Sequence, residues 1–378
     1  MFLYVLDANS NKICYFLQDK IHVETYIPFG EYTSVFYHPS LFGFNNEYSN
    51  IYVKNQFPPF PSEMQRSYEQ IVKKLELYKN SFLETCQFIP EYILINEIIP
   101  EHILIKFCQY MEKMNNLVFQ KTEKPNDYSI LLKITKIIKE IECYHLSVNN
   151  NEYGTKIKYD PWKSTTGRMG LCSGSFPISN LPKTERHLLP PSNDLLVEFD
   201  YNSAEIRTLL ALSNKQQPLQ DIHEWHMSLY QEKKTREEIK SDFYKWLYGN
   251  RNSSSIYSQF YKTDDVVAQF FNGEQIETPF GRVIKSDEFH ALSYIIQSTT
   301  SDLFFESLYN VLEYMKKHRI NSHIAWTLHD SVVFDMYQRD MVHLENMKNI
   351  FSQTSLGTYL VNVSQGKNYG QMERINEF

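Results

Sequence analysis

Residues 322–337, SHIAWTLHDSVVFDMY, place two apolar, β-branched-rich runs on either side of just two polar residues, His329 and Asp330. Runs of this composition and length read as strands. A connection this short joins only antiparallel neighbours, so the segment predicts a hairpin with a carboxylate at its tip. A second carboxylate, Asp200, ends another apolar strand, DLLVEFD (194–200), and the helical pattern SAEIRTLLALS follows it directly. An antiparallel sheet mixed with helices, the α+β class, is therefore expected for the second half of the chain.

The rest of the chain divides by pattern. Residues 1–60 alternate short apolar runs with turn residues, and Asn9-Ser10-Asn11 breaks the first run as a hairpin turn does, giving a small β-rich N-terminal region. PPFPS (58–62) reads as a linker. Residues 61–160 then carry three amphipathic helical patterns, 62–86, 100–120 and 128–146, with apolar residues three and four apart. Further on, TREEIKSDFYKWLYG (235–249) predicts a helix closed by Gly249, and 293–318 reads as one long helix.

With 378 residues, 42% of them hydrophobic, the chain can bury a large core in two or three structural units. Its formal charge of −7 argues mildly against a nucleic-acid partner, because phosphate contacts need Lys and Arg. Net charge does not describe distribution, however, and basic groups can line one groove of an acidic protein. Cys14, Cys86, Cys108, Cys143 and Cys172 form no CxxC pair, so reduced thiols are expected. With no leader pattern at the start and no apolar run long enough to span a bilayer, the expectation is a soluble cytoplasmic protein without membrane contact.

Two carboxylates on the ends of rigid strands can hold two Mg²⁺ about 4 Å apart, the arrangement used for in-line phosphoryl or nucleotidyl transfer. Taken singly, each Asp is equally well read as a hydrogen-bonding turn residue. A second pattern bears on the same chemistry. Arg236, Lys240, Tyr244 and Tyr248 recur every four residues and so share one broad helix face. Two cations followed by two aromatic rings suit a nucleoside triphosphate, phosphates first and base last. Ordinary i,i+4 pairing on a solvated helix is the alternative.

Together these segments resemble family A DNA polymerases, the relatives of bacterial DNA polymerase I. DYNSAEIRTLLAL from Asp200 is similar to motif A, the ladder with Gly249 to motif B, and LHDSVVFD with His329 and Asp330 to motif C, in the family's order. Lesser matches are STTGRMG (164–170), NLPK (180–183), DIHEWHMSLY from Asp221, TPFGR (278–282), the run Gln297 to Asp302, and LVNVSQGKNYG near the end. The resemblance covers roughly residues 160–375.

It implies a right-hand architecture: a helical thumb-like region at 61–160, an antiparallel palm at 161–220 and 299–378, and short helical fingers at 221–298. The implied activity is template-directed addition of dNTPs to a primer 3′-hydroxyl on primer-template DNA, in replication or repair, with two Mg²⁺ ions and Mn²⁺ as a substitute. Asp200, Asp330 and the Tyr201 carbonyl would bind the metals. Glu205 would exclude a 2′-hydroxyl. Arg236, Lys240 and His223 would bind the triphosphate, Lys240 protonating the leaving pyrophosphate. Tyr244 would stack near the sugar and base, and Tyr248 would close the template side. Arg168 and Gln297 would follow the minor groove at the primer terminus, and His329 would contact the primer end.

Departures from the family pattern are Ser331 where motif C has Glu, Ser298 in place of Gly, and a short segment between Gly249 and Gln297. No proofreading exonuclease is expected, since it would need another acidic metal site and more preceding chain. A single-subunit RNA polymerase is the nearest enzymatic alternative, but the resemblance there implies a small residue where Glu205 stands. A catalytically degenerate, nucleic-acid-binding accessory protein is the alternative from another class.

Overall fold

The structure is a computed structural model. It describes residues 126–147, 155–161, 163–230, 234–249 and 256–375, with the backbone of five strands between 2 and 54 and short, mostly helical stretches between 66 and 106. The chain forms two compact units, Met1–Pro125 and Asn126–Phe378. The boundary falls inside the 61–160 segment that the sequence pattern groups together. The PPFPS linker and most of the first two expected helices lie outside the described residues.

In the first unit, β1 (Phe2–Leu6), β2 (Ile13–Leu17), β3 (Lys20–Glu24), β4 (Tyr32–Phe36) and β5 (Asn50–Lys54) form an antiparallel sheet in the order β3-β2-β1-β5-β4. β1 and β2 pair antiparallel with Leu6 opposite Ile13, and Asn9-Ser10-Asn11, the expected hairpin turn, lies outside the described residues.

The second unit opens with α1 (Tyr128–Glu142), whose Ile130, Ile134, Ile137, Ile138 and Ile141 are buried at helical spacing. β-Branched residues are modest helix formers, so packing rather than propensity holds this helix. After the short pair β6 (Tyr159–Asp160) and β7 (Gly170–Leu171) comes β8 (Leu195–Tyr201). Leu195, Val197, Phe199 and Tyr201 of β8 are buried, while Glu198 and Asp200 alternate onto the other, more open face.

Four helices follow: α2 (Ala204–Leu212), α3 (Ile222–Tyr230), α4 (Arg236–Tyr248) and α5 (Ile256–Tyr261). Next come α6 (Thr263–Phe270), the hairpin β9 (Gln275–Glu277) and β10 (Val283–Lys285), and α7 (Glu288–Lys317). α7 begins before the apolar pattern that starts at Ser293, because the Asp287 side chain accepts a hydrogen bond from the His290 amide (2.8 Å) and caps it.

The chain closes with β11 (His323–Leu328), β12 (Ser331–Met336), α8 (Leu344–Ser352), the small pair β13 (Gln353–Thr354) and β14 (Gly357–Thr358), β15 (Val361–Gly366) and β16 (Glu373–Arg374). The second sheet is antiparallel, ordered β11-β12-β8-β15-β16.

α7 spans two cores. Its first half, through Ala291, Leu292, Ile295 and Ile296, packs with α2, α4 and their neighbours. Its second half, through Leu303, Phe304, Leu308 and Val311, packs with α1 and the sheet. At 30 residues, about 45 Å of helix, it fixes the sheet and the helical layer relative to each other. Beneath the sheet, the rings of Tyr201 and Phe351 stack at 4.4 Å, 7° from parallel. Full burial of an aromatic such as Phe199 contributes about 1.5–3 kcal/mol. Among the described residues, no helix is long and apolar enough to cross a membrane.

Candidate active site

β8 is the strand between β12 and β15, with Asp200 opposite both Ser331 and Asn362. Asp330 sits in the two-residue turn just before Ser331, so the sheet register brings the two carboxylates to neighbouring positions at one strand end. The Tyr201 amide donates to the Asp330 carbonyl (3.4 Å). His329 takes φ 54° in this turn, and Ser203, just beyond Asp200 in the chain, takes φ 55°. A left-handed backbone at a non-glycine residue costs about 1 kcal/mol or more and concentrates where geometry is functionally constrained.

Electrostatics mark the pair. Burial, reinforced by the charge of Asp330, pushes the Asp200 carboxyl up to about 7. Burial likewise raises Asp330, with Glu205 adding to the effect. Glu198, on the same face of β8, is also raised by burial, although the Ser331 hydroxyl donates to it (3.1 Å). Asn362 donates to Asp200 Oδ2 (3.3 Å) and accepts from Arg374 Nη2 (2.6 Å).

The two carboxyls thus lie buried side by side with little positive charge to balance them, and carboxylate oxygen is the donor a hard divalent cation takes. Two carboxylates, completed by main-chain oxygen and water, fit such an ion. Among the described residues, no group of three or more His, Cys, Asp or Glu side chains is arranged as a metal cage. Tyr201 uses its side chain in the core, donating to the Phe351 carbonyl (2.6 Å).

A cleft of about 220 Å³ opens beside Asp330 and is lined by Arg168, Glu205, Tyr244, Gln297 and His329. Six residues singled out in the sequence therefore meet in one cavity. Glu205, on the first turn of α2, is held from two sides, one oxygen accepting from Arg168 and the other from the Tyr248 hydroxyl.

The turn that presents Arg168 is built from below. Gly167 has φ 78°, and a Cβ there would lie 2.8 Å from the Arg282 guanidinium carbon, so both conformation and space require glycine. Ser301 Oγ donates to the Gly167 carbonyl (3.0 Å). Arg282 in turn donates through two nitrogens to Asp302 (3.0 and 2.6 Å), with both side chains buried. The TPFGR and Gln297–Asp302 segments thus act largely as the floor of this turn.

α4 presents the predicted ladder. Its N-terminus is fixed by a capping box between Thr235 and Glu238. The Tyr244 and Tyr248 rings stack at 6.1 Å and 4°. Lys240 is exposed. Arg236 is engaged, paired with Asp221 (2.8 Å) and Glu237 (2.7 Å). His223 is buried with its Nε2 3.2 Å from Ser203 Oγ, and burial pushes it down to about 4. It is therefore neutral at pH 7, and can serve an anion as a hydrogen-bond partner rather than as a cation.

Sequence reasoning missed several residues that shape this site. Arg207 is fully buried and donates to the Asn202, Pro218 and Gln220 carbonyls (2.8, 2.9 and 2.9 Å), fixing the turn after β8. Asn202, Asn362 and Arg374 also carried no local signal. Glu198 did: two residues before Asp200 on a strand, it had to share the same face.

The class defined by these elements is α+β, with antiparallel sheets. No family model matches the sequence, and no curated protein matches it. Among solved structures, the chain is similar to the POL domain of Pol1 from M. smegmatis, described in complex with DNA primer-template and dNTP, at 15% identity and a TM-score of 0.49. The match covers 82% of this chain and 66% of that one, so the chain spans just under two thirds of that neighbour's length.

Proposed function

We propose that the chain is a template-directed DNA polymerase of the family A type, adding dNTPs to a primer 3′-hydroxyl at Asp200 and Asp330. The observation that carries this reading is the convergence of five separated segments on one cleft beside an under-compensated carboxylate pair. Those segments are the Arg168 turn, the start of α2, the middle of α4, the Gln297 stretch of α7 and the His329-Asp330 turn. We assign the palm to 126–220 and 299–378, the fingers to 221–298 and the thumb to 61–125. α1 joins the palm because it packs on α7, where Lys133 pairs with Glu306 (2.6 Å).

Asp200 and Asp330, with the Tyr201 carbonyl, would hold divalent ions, Mg²⁺ or Mn²⁺. Bound ions of this kind lower the pKa of an attacking hydroxyl and neutralise a departing pyrophosphate. The chain's own residues do the rest. Lys240, exposed on the ladder, reaches toward the phosphates and supplies a proton to the leaving group, with Arg236 and His223 as further phosphate contacts. Tyr244 and Tyr248 offer stacked rings for the nucleotide and the template base. Arg168, Gln297 and His329 line the cleft for the primer terminus.

Glu205 sets sugar choice, because a carboxylate fixed by Arg168 on one side and Tyr248 on the other cannot swing away from a 2′-hydroxyl. Extension of a labelled primer on a DNA template, with dNTPs or NTPs and Mg²⁺, tests the reading. dNTP addition is expected and NTP addition is not. Glu205→Ala is expected to relax discrimination by about tenfold or more, the scale of one lost charged contact. NTP use by the unaltered protein equal to dNTP use would favour the RNA-polymerase alternative.

Tyr244 carries a second prediction. Tyr244 lines the cleft, and its hydroxyl would replace the contact that a missing 3′-hydroxyl would make. Dideoxynucleotides should therefore be accepted readily, and Tyr244→Phe should reject them by about tenfold more, the value of one hydrogen bond in a dry site. Equal dideoxy incorporation by both proteins would remove that role.

A further inference from the structure

Asp221, at the start of the helical layer, accepts five hydrogen bonds, and the proposed reaction gives it no role. Its Oδ1 accepts from the His223 and Glu224 amides (2.9 and 3.2 Å) and from Arg236 Nε (3.2 Å). Its Oδ2 accepts from Asn202 Nδ2 (2.9 Å) and Arg236 Nη2 (2.8 Å). One side chain thereby ties the turn after β8, the start of α3 and the start of α4 together. Burial opposes its charge, but the hydrogen bonds from Arg236 and Asn202 outweigh that and hold the carboxyl well below its usual range.

The two carboxylates on Arg236 differ in kind. Asp221 is 19% exposed and anchored by three donors besides Arg236, so it stays where it is. Glu237 is 75% exposed and holds Nη1 alone (2.7 Å). Asp221 takes the Nε–Nη2 edge of the guanidinium side-on, which leaves the Nη1 end directed away from it. An exposed carboxylate on that end is screened and weakly held. A phosphate can replace it without breaking the Asp221 pair.

We infer that Asp221 is a positioning residue that fixes Arg236 to present its Nη1 end to a polyphosphate, and that Glu237 occupies the phosphate's place until the ligand arrives. This rests on the polymerase reading only in taking the ligand to be a nucleoside triphosphate. The anion chemistry stands on the contacts themselves.

The test is calorimetric titration with tripolyphosphate, alongside the KM for dNTP in primer extension. Glu237→Gln is expected to bind tripolyphosphate several-fold more tightly. Asp221→Asn should bind about tenfold or more weakly, the range for one lost charge-assisted contact, and raise KM more than it lowers kcat. Asp221→Glu should regain part of the affinity, which a purely structural defect would not allow. Because Glu237 is exposed, its variant folds whatever Asp221 contributes to stability. Unchanged affinity in Glu237→Gln, or unchanged or tighter binding in Asp221→Asn, would overturn the inference. Tripolyphosphate binding that responds to both variants without any primer extension would uphold it and sink the polymerase reading. Primer extension with an unaltered KM in Asp221→Asn would do the reverse.

Discussion

Asp330→Asn is expected to abolish primer extension, by on the order of a thousandfold or more, equivalent to about 4 kcal/mol of barrier, while leaving the fold intact. The two halves of this expectation have separate causes. Asparagine keeps the shape of the side chain, so the hairpin turn and the register of Leu328 with Ser331 persist. It also removes an ionisable carboxyl from a buried place beside Asp200 and Glu205, where a negative charge is disfavoured. The metal-free protein should therefore melt at the same temperature as the unaltered one or slightly higher.

What is lost is the charge that would hold a divalent ion. A rise in melting temperature on adding Mn²⁺ should appear in the unaltered protein and shrink in Asp330→Asn. Extension surviving within tenfold in the variant would rule out the Asp200–Asp330 pair as the reacting centre. Loss of extension accompanied by unfolding would be answered by Asp200→Asn, whose side chain lies on a paired strand rather than in a turn.

The parts of this site that were legible in the sequence are those fixed by neighbours in the chain. Two apolar runs separated by His329 and Asp330 can only be a hairpin, and Asp330 can only sit at its tip. Four residues at steps of four on a capped helix must share a face, and the parallel rings of Tyr244 and Tyr248 follow from that. Glu198 is equally legible through strand alternation with Asp200. What no local pattern carries is which strand lies beside which. Asn362 reaches Asp200 only because β15 pairs with β8 across 162 residues of chain. For the same reason, α1 reads locally like the helical patterns before it, yet its isoleucines belong to the core of the sheet. Arg207 looks like a solvated helix residue until the 218–220 carbonyls close over it.

Asp302→Asn is expected to lower stability by about 3–5 kcal/mol, the cost of leaving one member of a buried ion pair without its partner. Asp302 is fully buried and Arg282 nearly so, and burial alone would lower the guanidinium's pKa. Asp302 outweighs that burial and keeps Arg282 charged, so the variant strands a cation beneath Gly167. Asp127 faces the same guanidinium, but burial pushes its own carboxyl up to about 6. It offers only partial replacement.

A protein of this size would show the loss as a shifted denaturant midpoint, with the slope unchanged if unfolding of this unit stays cooperative. The double change Arg282→Met with Asp302→Leu removes both charges and keeps most of the volume. It should recover much of the stability, because a buried pair gains little net energy over apolar packing. The recovery should not extend to activity. The guanidinium carbon lies 2.8 Å from where a Gly167 Cβ would be, and it forms the floor of the turn that aims Arg168 at Glu205. A flexible methionine there holds the turn less firmly, so the double variant should fold like the unaltered protein yet discriminate less between dNTPs and NTPs. If stability and discrimination both returned fully, the ion pair would be a packing element with no part in setting the Arg168–Glu205 contact.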